Sequence, residues 1–159
     1  MNGRYLALAG RIQQELRDLD MLVQRVSRMW AQALRSSDDA YVDATALNLH
    51  SYYAGIERIF EWIANEIDDS MPVGRHWHQD LLRQMAGEIP EVRPAVISPE
   101  LRQRLDRYRG FRHVVRHVYT YNLDPEQVGG LADALPDLAA EVAKHLEQFL
   151  AFLEQSGIN

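Results

Sequence analysis

From Arg4 to Arg35 the chain has no proline, and its apolar side chains (Leu8, Ile12, Leu16, Leu19, Leu22, Val23, Val26, Trp30, Ala33, Leu34) recur at steps of three and four. That spacing puts them on one face of an α-helix, and a stripe this long must be covered by elements of similar length. The rest of the chain supplies them. Ser36-Ser37-Asp38-Asp39 breaks the first helix and offers N-caps for a second. The second runs from about Asp39 to Asp68, with Tyr41, Ala44, Leu47, Tyr52, Ile56, Ile59, Phe60, Ile63 and Ile67 in helical register. Ser70–Gly74 reads as a loop and Trp77–Ile89 as a short third helix, and Pro90 and Pro94 bracket an irregular connection. Ser98-Pro99-Glu100 carries an N-cap, a first-turn proline and a first-turn acid, and opens a fourth helix reaching about Asn122. Asp124-Pro125-Glu126 repeats that signal. Gly129, Gly130 and Pro136 then predict a short helical turn, followed by a final helix from about Leu135 to Glu154.

No segment alternates apolar and polar residues between turn signals, as a strand would. The expectation is an all-α, antiparallel up-and-down bundle of four long helices plus one or two short ones, forming a single domain over residues 1–159. A chain of 159 residues can bury a core without staples, and the lack of cysteine excludes a disulfide scaffold, a thiolate zinc site and a cysteine nucleophile. No apolar run approaches the ~20 residues that span a bilayer, and the N-terminus is not patterned as a secretory signal. A cytoplasmic protein without a membrane partner is expected.

Charge is unevenly placed. The net charge is −6, yet residues 98–123 hold six Arg against two acids. An acidic protein with one basic segment does not bind nucleic acid indiscriminately, but the segment can hold a phosphate backbone. Within it, Leu101, Leu105, Tyr108, Phe111, Val115, Val118 and Asn122 form a stripe that should face the core. Arg112, Arg116 and Tyr119 fall on one flank, with His113 and His117 on the other and Arg109 near His113. Arg112 and His117 are about 140° apart on an ideal helix, so a long side chain, a bend or a second copy must bring them together. Gly110, inside this helix, suggests close helix approach or a slight bend.

Arginine and histidine suit metal-free RNA cleavage. That reaction needs a base for the 2′-OH, an acid for the leaving 5′-oxygen and a cation on the phosphorane. Histidine titrates near neutral pH, and arginine grips phosphate through a fixed fork. One such histidine per chain is few for two proton transfers, which favours a site paired across a homodimer. Elsewhere, Asn48 and His50 are polar residues inside the second helix, and each reads either as an ordinary surface or capping group or as one that orients His117 or Arg112. Glu57 and Arg58 read as a structural pair, with either able to reach the basic helix. Arg75-His76-Trp77-His78 lacks a third ligand and carboxylate spacing, so no metal is expected there and no cofactor elsewhere. Trp77 reads as an anchor of its loop.

The segment Arg112-His113-Val114-Val115-Arg116-His117-Val118-Tyr119 resembles the Arg-x4-His-x-Tyr signature of HepT-like ribonuclease toxins of the HEPN superfamily. The surroundings resemble that group too: Ala46–Tyr53 with Glu57-Arg58-Ile59-Phe60, then Trp77-His78 with Asp80-Leu81-Leu82, Arg93-Pro94, and Phe111-Arg112-His113. The resemblance implies a HEPN-like helical bundle that dimerises around a cleft and cuts RNA, such as tRNA or mRNA, without metal. It implies that Arg112 polarises the scissile phosphate and His117 is the general acid or base. It implies that Tyr119 can be modified with AMP by a minimal nucleotidyltransferase antitoxin. Arg109, His113 and Arg116 are further RNA-binding candidates, and Asn48 and Glu57 supporting ones. The C-terminal acids (Asp133, Asp137, Glu141, Glu147, Glu154) form a face that could contact a basic antitoxin. The alternative is a non-catalytic HEPN module that binds a nucleotide or a nucleotidyltransferase.

Overall fold

A computed structural model describes residues 2–158. Its elements are α1 (Gly3–Arg35), α2 (Ala40–Glu66), α3 (Trp77–Met85), α4 (Pro99–His117), a 3-10 turn at Thr120–Asn122, and α5 (Pro125–Ile158). The long helices start where the caps predict. Asp38 Oδ1 accepts the Ala40 N–H at 2.9 Å, Ser98 Oγ the Leu101 N–H at 3.1 Å, and Asp124 Oδ1 the Glu126 N–H at 3.0 Å. α1 packs along both α2 and α5, and α4 closes the bundle against α2, α3 and α5. The expected stripes meet in one core, with Leu8, Ile12, Tyr52, Ile56, Phe60, Leu105, Phe111, Leu135 and Leu146 buried, but Leu34 and Leu47, expected in the stripes of the first two helices, are exposed. Among the described residues no helix is long and apolar enough to cross a membrane.

Three expected boundaries are corrected. The short turn and separate final helix are one helix, α5, which runs through Pro136. Proline removes one donor from the helical ladder, but Val128, Leu131, Ala132 and Leu135 are buried on the near side of it and hold that stretch to the bundle. Gly129 is no turn signal: a Cβ there would lie 2.3 Å from the Trp30 ring, so it marks close approach of α5 to α1. α4 ends at His117 rather than about Asn122, with Val118 already extended at φ −120°, ψ 140°. Val118 and Tyr119, β-branched and aromatic, favour the extended backbone that both adopt. The core stripe of α4 accordingly fades at Val115, and Asn122 is exposed. Finally, α3 stops at Met85 rather than Ile89.

The connection after α3 is tied down by a buried ion pair. The Arg93 guanidinium and the Asp68 carboxylate are fully buried, with Nη2 2.8 Å from Oδ2. Arg93 also donates to the carbonyls of Gln84, Gly87 and Pro94, and Gln84 Nε2 donates to Asp68 at 2.8 Å. This knot fixes the C-terminal end of α3 against the end of α2, and so sets where the first turn of α3 faces α4.

Candidate active site

Arg109, Arg112, His113, Arg116 and His117 are three and four residues apart on α4, so they share one face of it. The loop before α3 and its first turn lie opposite and bring Arg75, His76, His78 and Gln79. These nine side chains line a concavity of about 320 Å³. Four are arginine, four histidine and one glutamine, and no carboxylate is among them. The flanks that ideal geometry separates therefore open on one cleft, brought together by long side chains and the end of the helix. Gly110 is not a site of close approach, because a Cβ there would meet nothing within 4 Å. A lining of cations and titratable rings suits a phosphate-bearing ligand.

Arg112 is anchored from two other helices. Its Nη1 is 3.7 Å from Oε1 of Glu57 on α2 and 3.2 Å from both ring nitrogens of His78 on α3. Glu57 is buried, and its Oε2 is 2.8 Å from His78 Nδ1. With Nδ1–H donating to the carboxylate, Nη1 of Arg112, equidistant from the two ring nitrogens, rests against the imidazole ring rather than on one lone pair. All these contacts are on Nη1; Nε of Arg112 is buried without a partner among the described residues. A buried carboxylate is tolerated here because one cation and one ring donor compensate it. Glu57 does not pair with Arg58, as the sequence suggested. Arg58 instead reaches Glu15 on α1 at 2.6 Å.

His117 is the last residue of α4 and is exposed. Its Nδ1 is 2.8 Å from the His113 carbonyl, which can only accept, so Nδ1 carries the proton. In the neutral ring Nε2 then holds the free lone pair. The His113 ring stacks on it with centroids 4.0 Å apart. Arg109 is braced by Asp106, Nε to Oδ1 2.7 Å.

Other expected site residues lie elsewhere. Tyr119 does not share a flank with Arg112 and Arg116, because the helix has ended; its ring is 74 % exposed and lies parallel to that of Tyr121. Asn48 donates to the Ala44 carbonyl of its own helix at 2.7 Å. His50 is half-buried on α2. Burial and then the charges of Arg112 and Arg116 lower its pKa from the ordinary value, against an opposing effect of Glu57. Trp77 packs on the core edge and lies tilted by 30° against His78, with centroids 3.6 Å apart. Sequence reasoning missed His78 as a partner of Arg112, together with Arg75 and His76 as cleft residues. The signal is present in Arg75-His76-Trp77-His78, a dense cationic run that the sequence reads as a loop anchor and a poor metal site rather than as part of the cleft. Among the described residues, no three His, Asp or Glu side chains gather so as to hold a metal ion.

The family model described as HepT-like protein matches residues 44–153, more than two thirds of the chain, from the first turns of α2 through most of α5. No curated protein and no solved structure gives a significant match.

Proposed function

The chain belongs to the HepT-like protein family, and from that premise we propose that it is the toxin of a HEPN/nucleotidyltransferase toxin–antitoxin pair, acting as a metal-independent endoribonuclease. The observation that carries this reading is that Arg112 and His117 line the same acid-free cleft.

In this reading Arg112, held on its Nη1 side by Glu57 and His78, grips a non-bridging oxygen of the scissile phosphate and stabilises charge that grows in the phosphorane. His117, with Nδ1–H fixed on the His113 carbonyl, takes the 2′-OH proton at Nε2. The 2′-oxygen bonds to phosphorus and the bond to the 5′-oxygen breaks. A second histidine, in its imidazolium form, protonates that leaving oxygen; in a two-fold homodimer it is His117 of the second copy. The products are a 2′,3′-cyclic phosphate and a 5′-hydroxyl. Arg109, His113 and Arg116 hold flanking phosphates. The exposure of Tyr119 supports its modification with AMP by a nucleotidyltransferase antitoxin, which silences the toxin.

The test is cleavage of tRNA and mRNA in EDTA by wild-type and His117→Ala protein. Cleavage by wild type alone, leaving 2′,3′-cyclic ends, is the expected result. Absence of cleavage by folded, unmodified wild type overturns the enzyme and leaves a binding module.

A further inference from the structure

We propose that Tyr119 and Tyr121 form a stacking platform for an unpaired nucleobase, so that the cleft beside them takes single-stranded RNA. The proposal deepens the reading of the cleft as an RNA site and rests on it.

The two rings are parallel to within 6°, with centroids 5.6 Å apart, and the residues are 74 % and 76 % exposed. The core does not use them. The turn that carries them is nevertheless fixed. The Asn122 N–H donates to the Tyr119 carbonyl at 2.9 Å, the Leu123 N–H to the Thr120 carbonyl at 3.1 Å, and Leu123 is buried. An extended residue at 119 followed by this 3-10 turn places the rings of residues i and i+2 side by side, which a continued helix would not do. Two large aromatic rings are thus held outward, already paired, at little further entropic cost.

Their place gives them a ligand. Tyr119 follows His117 by two residues, so its Cα lies within about 7 Å of that of the cleft residue. A strand whose phosphate sits among Arg109, Arg112 and Arg116 carries a base on each flanking nucleotide, and an exposed aromatic pair two to four residues beyond the last cleft residue is within reach of such a base. Bases inside a duplex are stacked on one another and have no face to offer. The phosphate contacts do not discriminate between single and double strands, whereas the tyrosine pair does.

The experiment uses the full-length His117→Ala protein, to hold substrate intact, with fluorescent 12-nucleotide RNA, free or annealed to its complement. Tyr121→Ala and Tyr121→Phe are added to that background, with size-exclusion chromatography of each. The expected result is tighter binding of the free strand. Tyr121→Ala then weakens it about tenfold, within the range of one base–aromatic stack, leaves duplex binding unchanged, and Tyr121→Phe stays within about twofold of its parent. The proposal is overturned by equal binding of both RNAs, by no binding to either, by equal losses in the Ala and Phe variants, or by a change of oligomeric state at constant strand preference. Cleavage by wild type separates the two readings. Cleavage without the tyrosine effect sinks the platform alone, and the tyrosine effect without cleavage sinks the ribonuclease alone.

Discussion

Glu57 Oε2 on α2 lies 2.8 Å from His78 Nδ1 on α3, and the same carboxylate lies 3.7 Å from Arg112 Nη1 on α4. One buried acid thus joins three helices behind the lining of the cleft. Glu57→Gln keeps the shape and removes the charge, which should cost about 1–3 kcal/mol in urea unfolding. It should also lower RNA cleavage by about tenfold to a hundredfold, because a guanidinium displaced by an ångström no longer meets the phosphate. Full stability with full activity would show that Glu57 anchors nothing.

His78 holds its ring against Arg112 while donating to Glu57, so it should act as a positioning residue. His78→Ala is expected to lower kcat/KM about tenfold, less than Arg112→Ala, which removes the phosphate contact itself. His78→Gln, whose amide both donates and accepts, should recover most of the loss. Equal losses in the Ala and Gln variants would instead make the imidazole a proton carrier.

The bundle was legible from the sequence because amphipathic stripes leave a long helix few places to go, and Leu8, Ile12, Phe60, Leu105 and Phe111 are buried as their spacing requires. Punctuation was less legible. Gly129 and Pro136 read as breaks, yet the first is an approach position for Trp30 and the second is carried by buried neighbours; both depend on contacts far away in sequence. The end of α4 was misread because an apolar period continued through Val118 while the backbone had already turned. Arg112, His113, Arg116 and His117 could be found on one helix. The side of the cleft supplied by His78 is marked only by the run Arg75–His78, and its pairing with Arg112 depends on a contact across 34 residues and an irregular loop.

The buried pair of Asp68 and Arg93 makes a prediction about stability alone. Removing one partner leaves the other charge buried and uncompensated, at about 3–5 kcal/mol. Asp68→Ala and Arg93→Ala should each show that loss in chemical denaturation. The double variant should cost less than the sum of the two, because it strands no charge. Additive losses would mean that the two side chains act independently.

Neighbouring glycines in α5 should respond in opposite directions. A Cβ at Gly129 would lie 2.3 Å and 2.8 Å from atoms of the Trp30 ring, whereas one at Gly130 meets nothing within 4 Å. Gly129→Ala should cost about 1–3 kcal/mol by overpacking. Gly130→Ala should stabilise by about 0.5–1 kcal/mol, the usual gain in a helix interior. Gly110→Ala, also in open space on α4, should follow Gly130. Thermal melts of the three variants check the order, and a stabilised Gly129→Ala would refute the packing of α5 on α1.

His50 supplies a pH dependence whose sign can be worked out. Its pKa is lowered from 6.5 by burial first, then by Arg112 and Arg116, with Glu57 opposing. The folded protein therefore disfavours the imidazolium, and as pH falls the unfolded chain takes up the proton first. The stability tied to His50 is fully present above about pH 6.5 and is lost as pH falls from there toward the depressed folded-state value. Urea midpoints of wild type should thus drop more between about pH 7.5 and about pH 5.5 than those of His50→Gln, with the two curves parallel above that window. Arg112→Ala should narrow the gap, since it removes a charge that opposes protonation while leaving the desolvation in place. A gap that Arg112→Ala leaves unchanged would mean that the Arg112 charge does not reach the imidazole and that burial and Arg116 set the effect.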